Sequence, residues 1–360
     1  MLAVLIASSA ALRQHRGPPA TVRMCASATA STALSSLLDV SDKYDAFLLD
    51  QFGVIHDGKT AYEGAVEAVS MLQKLGKKIV IISNSSRRKG DTLARLRAMG
   101  FGPCEDEDEE AGLGRPGDVP PISVVTSGDL VFRGLSTTGT GALFDDLGMR
   151  CFVFGNGADD EKYVRDAGKV ASPISQADFV LARGLSSMLG HGPDLLRQPA
   201  VPYSIAAEEE VLQAAMARRP GGLPLLVANP DLIRPDGQDS PMPGQLAYRY
   251  QALGATDVRL VGKPHKLIYE RCRSLLARAG LGRDARVAAV GDSLHHDVLG
   301  AARNGVDSIL CCSGVHSTEL GVPQAGALPP KPERLQALLE HFGREHEGVA
   351  PTHVLAAFRL

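Results

Sequence analysis

Several features that would place a chain of 360 residues in a special class are missing from this sequence. None of the six cysteines forms a C-x-x-C pair or a Cys/His cluster with zinc spacing, which favours free thiols in a reducing compartment. No apolar run approaches the roughly 20 residues that span a bilayer. The formal net charge is −3 and no basic stripe appears, so the sequence gives no reason to expect nucleic acid. We therefore expect a globular protein that binds neither a membrane nor nucleic acid.

Acidic residues are also missing from the first 38 positions. Arg13, Arg16 and Arg23 lie there among Ala, Ser and Thr, a composition typical of an organelle transit peptide. Residues 22–26 resemble a chloroplast processing site. We predict that residues 1–38 are a transit peptide or disordered, and that the mature protein lies in a plastid. A mitochondrial address and a tail with no address are the alternatives.

What the sequence does contain is an alternation of strand and helix patterns. Residues 46–49 are a short apolar run that stops at Asp50, residues 64–75 have the apolar spacing of a helix, and residues 79–82 are a second buried strand. This order indicates a parallel sheet. The alternation lapses in an acidic, Gly- and Pro-containing stretch at residues 102–121 and then resumes. No G-x-G-x-x-G follows a strand and opens a helix, which disfavours a dinucleotide-binding domain.

Polar residues follow four of the predicted strands at the point where each strand ends. They are Asp50, Ser83, Lys263 and the pair formed by Asp292 and Asp297. In open α/β sheets, ligands bind just past the carboxyl ends of the strands. We therefore expect these side chains to meet at one edge of the sheet.

The order of these residues resembles the four motifs of the haloacid dehalogenase (HAD) superfamily: a nucleophilic Asp, a Ser or Thr, a Lys, and G-D-x-x-x-x-D. The segment between Ser83 and Lys263 resembles the large cap of subclass IIA, which includes NagD-like nucleotidases and p-nitrophenyl- and pyridoxal-phosphate phosphatases. Asn229-Pro230-Asp231 and Gly262-Lys263-Pro264 are typical of that subclass. The resemblance covers about residues 45–355.

The resemblance implies an α/β fold with a Rossmann-like parallel-sheet core and an inserted α/β cap domain of the type that subclass IIA carries. We place the first part of the core at residues 39–115, ending in an acidic linker. The cap follows at 116–257, and the second part of the core at 258–360. The resemblance also leads us to expect a homodimer formed through the cap.

The resemblance assigns a role to each motif residue. Asp50 is the nucleophile that forms an aspartyl-phosphate, and Lys263 neutralises the developing charge. Ser83, with the backbone N–H groups of Asn84 and Ser85, holds the phosphoryl oxygens near a helix start. Converging carboxylates coexist ionised only around a cation, and oxygen ligands suit Mg²⁺. The predicted Mg²⁺ ligands are Asp50, the backbone carbonyl of Phe52, Asp292 and Asp297.

The cap is expected to set the choice of substrate. Asn229, Asp231 and Arg234 lie on a polar turn after a strand and are candidates for contacting the leaving group. An ordinary turn that contains proline is the alternative interpretation. The substrate class implied by the resemblance is a small phosphorylated metabolite.

One departure from the family pattern concerns Phe52, which stands where its phosphatases carry a second aspartate as general acid and base. Losing a general acid typically costs about 10²–10⁴ in rate. Three interpretations remain: substrates with good leaving groups such as acyl phosphates, a proton supplied by His56 or Asp57, or binding without turnover. We predict a Mg²⁺-dependent phosphatase that uses an aspartyl-phosphate. The alternative is a weak or inactive protein that binds a phosphometabolite in a regulatory role.

Overall fold

The described residues form two β-sheets, one at the centre of the core and one at the centre of the cap. The computed structural model describes residues 31–105, 119–137, 141, 143–157, 159–189, 201–233, 241–322 and 328–360. The strands in these ranges are β1 (Thr32–Leu34), β2 (Ala46–Leu49), β3 (Lys78–Ser83), β4 (Ile122–Thr126), β5 (Arg150–Gly155), β6 (Val170–Ala171), β7 (Phe179–Ala182), β8 (Ser187–Leu189), β9 (Val201–Pro202), β10 (Leu225–Val227), β11 (Val258–Leu260), β12 (Val287–Gly291), β13 (Asp307–Cys311) and β14 (His353–Leu355). The α-helices are α1 (Ala65–Lys74), α2 (Lys89–Ala98), α3 (Ser127–Ser136), α4 (Asp160–Asp166), α5 (Ile205–Ala217), α6 (Pro243–Ala252), α7 (Lys266–Arg278), α8 (Leu299–Arg303), α9 (Ser317–Leu320) and α10 (Pro332–Glu345). A 3₁₀ helix covers Leu37–Lys43, and a π-helical turn covers Leu294–Val298.

The core sheet has seven parallel strands in the order β1-β14-β13-β12-β2-β3-β4. Every residue of β2 is buried, as expected for an apolar strand in the middle of a parallel sheet. Leu49, the last residue of β2, is in register with Val290 of β12 and Ile81 of β3. Strand β12 ends at Gly291 and β3 at Ser83, so the three strands end close to one another and the residues that follow them meet at one edge of the sheet.

Helix α1 shows how the local sequence builds the layer on the sheet. Its apolar residues repeat at helical spacing, and Ala65, Ala68, Val69 and Leu72 are buried in the same apolar cluster as strands β2 and β3. Each Val or Leu side chain buried in this way contributes about 1.5–3 kcal/mol. The chain reverses at Gly76, whose φ of 75° is unfavourable for other residues. This packing fixes the start of β3 and, with it, the position of Ser83 at its end.

The cap sheet has the strand order β11-β10-β7-β5-β8-β9, and β6 pairs with β5. Strand β8 runs antiparallel to its neighbours β5 and β9, and the other pairs are parallel. Helices α4, α5 and α6 alternate with these strands along the chain. The predicted fold class, a parallel-sheet α/β core with an inserted α/β cap, is confirmed.

Three predicted domain boundaries are wrong. Strand β4, which we assigned to the cap, pairs with β3 in the core sheet, and β11, which we assigned to the core, pairs with β10 in the cap sheet. Strand β1 lies within the predicted transit peptide, yet it pairs with β14 at the edge of the core sheet. The physical reason is that an apolar pattern identifies a strand but does not say which sheet the strand joins. The cap therefore begins after Thr126 and ends after Leu260.

The remainder of the predicted transit peptide, residues 1–30, lies outside the described residues, and the acidic run that begins at Glu105 does so from residue 106 onwards. The plastid address therefore stays a prediction. In the described ranges, none of the helices has both the length and the apolar character needed to cross a bilayer.

The core and the cap share one apolar cluster. It includes Leu48 and Val80 from the core sheet, Leu130 from α3, and Val153 and Leu181 from the cap sheet. Helix α3 directly follows β4, so it leads the chain from the core into the cap while packing against both. Because burial of this shared surface stabilises both parts, the cap is held in a defined position over the carboxyl edge of the core sheet.

Candidate active site

The four predicted strand-end signals meet at the carboxyl edge of the core sheet. Lys263 Nζ lies 2.9 Å from Asp50 Oδ1 and 2.8 Å from Asp297 Oδ1. Carboxylate oxygens of Asp50, Asp292 and Asp297 lie within 4.8 Å of one another. Asp50 follows β2, Asp292 follows β12, and Asp297 comes from the π-helical turn after β12. We call Asp50, Lys263, Asp292 and Asp297 the core cluster.

Charge in the core cluster is unbalanced, because three carboxylates face one ammonium group. Burial, opposed by the charge of Lys263 and reinforced by that of Asp297, raises the pKa of Asp50 to about 7. Burial and the charges of Asp50 and Asp297 raise the pKa of Asp292 well above its usual range. Burial alone would lower the pKa of Lys263, but the carboxylates of Asp297 and Asp50 outweigh it and raise this pKa.

A divalent cation would offset the excess negative charge of the core cluster. The donor atoms that its three aspartates offer are carboxylate oxygens, the ligands that Mg²⁺ prefers. The residues present therefore fit the predicted metal ion. The contribution of the Phe52 backbone carbonyl stays a prediction.

Two glycines and a backbone amide hold Asp292 in place. A Cβ atom on Gly53 would lie 2.1 Å from Asp292 Oδ2, and a Cβ atom on Gly314 would lie 2.0 Å from the same oxygen, so both positions exclude a side chain. The N–H of Val315 donates to that oxygen at 2.8 Å. The sequence prediction missed the loop after β13. The rule that sites lie past strand ends would have found it, because Ser313-Gly314 follows an apolar strand directly.

Ser83 lies at the end of β3 and is buried. Its Oγ accepts hydrogen bonds from Gln51 Nε2 at 2.6 Å and from the backbone N–H of Ser85 at 3.1 Å. Helix α2 begins at Lys89, shortly after Ser85, and the N–H of Gly128 at the start of α3 donates to the Ser85 carbonyl oxygen at 3.0 Å. The use of the Asn84 and Ser85 N–H groups by a phosphoryl group stays a prediction.

Asn84 and Asp231 join the core to the cap beside Lys263. Asn84 Oδ1 accepts the N–H of Lys263 at 2.6 Å, and Asn84 Nδ2 donates to Asp231 Oδ1 at 2.8 Å. Asn229 Oδ1 accepts the N–H of Asp231 at 3.0 Å, which closes a turn. Of these three side chains, Asn84 contacts the Lys263 backbone directly and Asp231 contacts Asn84. The predicted contacts of Asn84, Asn229 and Asp231 with substrate stay a prediction. Arg234 lies outside the described residues.

His296 also lies at this junction. Its Nδ1 is 3.2 Å from the backbone carbonyl oxygen of Lys263, and its Nε2 is 3.5 Å from Asp231 Oδ1. The π-helical turn that carries Asp297 also carries His296. His296 therefore helps to orient the loop from which the Lys263 side chain enters the core cluster.

Neither sequence candidate for a replacement general acid is arranged to donate a proton at neutral pH. His56 is buried, its Nδ1 accepts the N–H of Gly58, and its Nε2 lies 3.2 Å from Gln51 Oε1. Burial lowers the pKa of His56 to about 4. Hydrogen bonds from the backbone of Thr60 and Lys59 hold the pKa of Asp57 below its usual range. The Phe52 ring packs edge-on against His56, with the ring centroids 5.9 Å apart.

The cap contains a second buried group of charges that the sequence analysis did not identify. Arg183 follows β7 and donates to Asp160 at 2.5 Å and to Asp159 at 3.0 Å, and its guanidinium carbon lies 3.6 Å from the centre of the Tyr163 ring. We call Asp159, Asp160, Tyr163 and Arg183 the cap cluster. Arg183 Nη2 also lies 3.4 Å from the carbonyl oxygen of Ser86, so this cluster contacts the core segment that follows Ser83.

Comparison with known proteins places these observations in a family. Residues 47–169 match the model of the haloacid dehalogenase-like hydrolases, and residues 260–334 match the HAD-hydrolase-like model. Human chronophin is 27% identical over 289 residues, which is 79% of this chain and 86% of that protein. Human glycerol-3-phosphate phosphatase is 28% identical over 306 residues, which is 81% of this chain and 84% of that protein.

A solved structure shows the same fold at lower identity. NagD from Escherichia coli K-12 is 17% identical, with a TM-score of 0.53 over 87% of this chain and 96% of NagD. The two family models together span more than half of the chain: the first runs from the core into the cap, and the second begins at the end of the cap and covers much of the second part of the core. The chain therefore belongs to the haloacid dehalogenase-like hydrolases of subclass IIA and is classified as a phosphatase-type hydrolase.

Proposed function

We propose that the protein hydrolyses small phosphorylated metabolites with Asp50 as the nucleophile and with a requirement for Mg²⁺. The observation that carries this proposal is the core cluster, in which Lys263 bridges Asp50 and Asp297 while Asp292 lies within 4.8 Å of both. The similarity to a protein named glycerol-3-phosphate phosphatase supports a phosphomonoester as substrate.

The residues of the chain perform two displacements at phosphorus. An oxygen of Asp50 attacks phosphorus, the bond from phosphorus to the leaving oxygen breaks with its electron pair, and an aspartyl-phosphate forms. Water then attacks phosphorus, the bond to Asp50 breaks, and inorganic phosphate leaves. Lys263 stabilises the negative charge on the phosphoryl group in both steps, and Ser83 is placed to donate to a phosphoryl oxygen.

Asp50, Asp292, Asp297 and the Phe52 carbonyl would hold the Mg²⁺ ion. When bound, the ion neutralises charge that would otherwise repel an anionic substrate. The excess negative charge of the core cluster is the reason for proposing it, since an incoming phosphate would increase that excess further.

Phe52 restricts the leaving groups that this site expels quickly. His56 and Asp57 are both engaged as described above, and the ring of Phe52 has no proton to give. A leaving group that departs as a stable anion, such as the carboxylate of an acyl phosphate, needs no proton, whereas an alkoxide does. We therefore propose that acyl phosphates react faster than alkyl phosphates, and that the aspartyl-phosphate breaks down slowly because no base activates water.

The lack of a general acid at Phe52 also favours a second candidate function. A protein that keeps the core cluster but lacks the general acid and base could bind a phosphometabolite and its metal ion without turnover, in a regulatory role. This candidate differs from the first in predicting binding of phosphate but no release of product.

The test compares wild type with Asp50→Asn and Phe52→Asp, using acetyl phosphate and glycerol phosphate with and without Mg²⁺. We expect wild type to prefer acetyl phosphate, Asp50→Asn to lose turnover, and Phe52→Asp to gain at least about 10²-fold on glycerol phosphate. Acid-quench trapping is expected to detect a phosphorylated wild type. Turnover by Asp50→Asn at the wild-type rate would refute Asp50 as nucleophile. No turnover by wild type, with turnover by Phe52→Asp, would refute the first candidate, and binding of phosphate by that inactive wild type would support the second.

The cellular setting is a separate proposal that rests on the sequence. We propose that the protein acts in a plastid and forms a homodimer through the cap. Import of a fluorescent fusion into isolated chloroplasts and mitochondria tests the first part, and light scattering on the purified protein tests the second.

A further inference from the structure

We propose that Gln51 and His56 are positioning residues that fix the direction of the Ser83 hydroxyl, so that its proton points to a phosphoryl oxygen of the bound substrate. This inference rests on the proposed function, because it concerns the same phosphate site. It assigns a task to two side chains that the mechanism above leaves unused.

The direction of this hydrogen-bond chain starts at the backbone of Gly58. The N–H of Gly58 donates to His56 Nδ1 at 2.9 Å. An amide N–H can only donate, so Nδ1 must present its lone pair, and the ring proton must lie on Nε2. His56 Nε2 is 3.2 Å from Gln51 Oε1, so this proton is donated to the Gln51 carbonyl oxygen.

The orientation of the Gln51 amide then follows. Its Oε1 faces His56, so its NH₂ group faces Ser83, where Nε2 lies 2.6 Å from Oγ. An amide nitrogen donates and does not accept, so the hydrogen bond runs from Gln51 to Ser83. The Ser85 N–H donates to the same oxygen at 3.1 Å. Both lone pairs of Ser83 Oγ accept these hydrogen bonds, so its hydroxyl proton can be donated to a phosphoryl oxygen.

The reverse arrangement is excluded by the same backbone donor. Turning the Gln51 amide over would place its NH₂ group against His56 Nε2, which would then have to accept. The ring proton would move to Nδ1 and face the N–H of Gly58, so two donors would oppose each other. Gly58 has a φ of 95°, and a Cβ atom there would lie 2.6 Å from Phe52 Cε2, so this turn is closely packed.

Burial makes the chain of hydrogen bonds hard to replace by water. Gln51 is 7% exposed, His56 2% and Ser83 4%. Phe52 packs edge-on against the His56 ring. Phe52, which stands in place of the general acid, therefore also covers the His56 ring that orients Gln51. An aspartate at position 52 would not supply the same apolar cover.

The decisive test is a cycle of variants read by binding of inorganic phosphate in the presence of Mg²⁺. In Gln51→Glu the introduced carboxylate accepts from Ser83, which turns the hydroxyl proton away from the site. We expect phosphate affinity to fall about 10-fold or more in Gln51→Glu and in Ser83→Ala, with little further loss in the double variant. Phosphate affinity in Gln51→Glu equal to wild type, or a double variant whose loss is the product of the single losses, would overturn the inference.

A second measurement needs no variant and so does not depend on folding. The ¹⁵N chemical shifts of histidine ring nitrogens separate protonated from unprotonated atoms, and we expect His56 to carry its proton on Nε2 alone. A proton on Nδ1 would overturn the inference. We expect His56→Gln to lower phosphate affinity less than Gln51→Glu does, because it disrupts the hydrogen-bond chain only in part.

These readouts separate this inference from the proposed function. Phosphate binding requires no turnover, so an inactive wild type whose phosphate affinity depends on Gln51 would refute the phosphatase and support the positioning role. If wild type is active, and Gln51→Glu has the same phosphate affinity and KM as wild type, the phosphatase is supported and the positioning role is refuted. A wild type that does not bind phosphate with Mg²⁺ would refute both.

Discussion

The core cluster and the cap cluster are both built from a buried cation between aspartates, yet they differ in charge balance. In the cap, buried Arg183 is paired with buried Asp160, and its second partner, Asp159, is half exposed. In the core, Lys263 bridges Asp50 and Asp297 while Asp292 lies beside them, so three carboxylates share one ammonium group. When all groups are ionised, the core cluster carries an excess of two negative charges, whereas the cap cluster carries an excess of one, which belongs to an aspartate that is half exposed.

The hydrogen bonds of the cap cluster and the pKa values of the core cluster show the same difference in charge balance. Both oxygens of Asp160 are occupied within the cap, Oδ1 by Arg183 and Oδ2 by the N–H of Gly157 and the hydroxyl of Ser187. Arg183 in turn stacks on the Tyr163 ring. In the core, the excess charge appears as raised pKa values of Asp50 and Asp292. The buried carboxylate of the cap cluster is therefore satisfied by protein groups, although Arg183 Nε is buried without a hydrogen-bond partner among the described residues, whereas the core cluster has an excess of carboxylates that a bound cation would offset.

Replacing Lys263 and Arg183 in turn by an uncharged residue is the strongest test of this difference between the two clusters. We expect Lys263→Met to lower turnover at least about 10²-fold, because a charge that stabilises the transferring phosphoryl group is lost. Arg183→Met is expected to lower the unfolding free energy by about 3–5 kcal/mol, because Asp160 is left buried without its partner. Turnover per folded molecule should change far less in Arg183→Met than in Lys263→Met. Urea unfolding and steady-state kinetics give the two quantities.

Arg183→Lys is the matched control for this prediction, because it keeps the charge but loses the stacked, two-pronged contact. It should recover part of the lost stability. Should Arg183→Met lose turnover as severely as Lys263→Met while remaining folded, the cap cluster would be part of the active site and the contrast would fail.

The pH dependence of metal binding sharpens the comparison at the core cluster. Burial raises the pKa of Asp50 to about 7, so below pH 7 a metal ion must displace a proton from this carboxylate. Affinity for Mg²⁺ should therefore fall as the pH decreases, by about tenfold per pH unit for one displaced proton. Titration calorimetry at pH 6 and pH 8, in buffers of different ionisation enthalpy, counts the protons released. The same Mg²⁺ affinity at both pH values would show that binding displaces no proton and would contradict a raised pKa of Asp50.

The sequence predicted the core cluster because its logic is local. Each of Asp50, Ser83 and Asp292 follows an apolar strand directly, and parallel strands end at a common edge. Lys263 and Asp297 were found by the same rule, and the resemblance to a family then gave each of them a role. The assignment of strands to sheets could not be predicted in this way, since β4 and β11 have the same apolar pattern whichever sheet they join.

The contacts of Gln51 and the cap cluster could not be predicted from the sequence, for a different reason. The role of Gln51 depends on which way an amide turns, and that is set by the N–H of a glycine seven residues later. Arg183 and Asp160 are 23 residues apart and meet because β7 and α4 pack within the cap. Patterns of polarity do not encode such side-chain orientations, so the structure is needed to find them.

The smallest expected effect concerns His56, whose neutral state the positioning of Ser83 requires. Burial lowers the pKa of His56 to about 4 in the folded protein, against an ordinary value of 6.5. Between these values the unfolded chain binds a proton that the folded protein does not, so this histidine lowers the unfolding free energy as the pH decreases below 6.5. The expected slope is about 1.4 kcal/mol per pH unit.

His56→Asn lacks the titrating group, so the stability advantage of wild type over this variant should shrink by about 1 kcal/mol between pH 6.5 and pH 5.5, which is less than the full slope because the unfolded histidine is only half protonated at pH 6.5. Because both proteins share the core cluster, subtracting one from the other largely removes the opposing effect of Asp50 and Asp292. Chemical unfolding of both proteins at the two pH values gives the difference. An advantage that stays constant would mean that His56 is ionised in the folded state, which would contradict the tautomer from which the direction of the Ser83 hydroxyl was inferred.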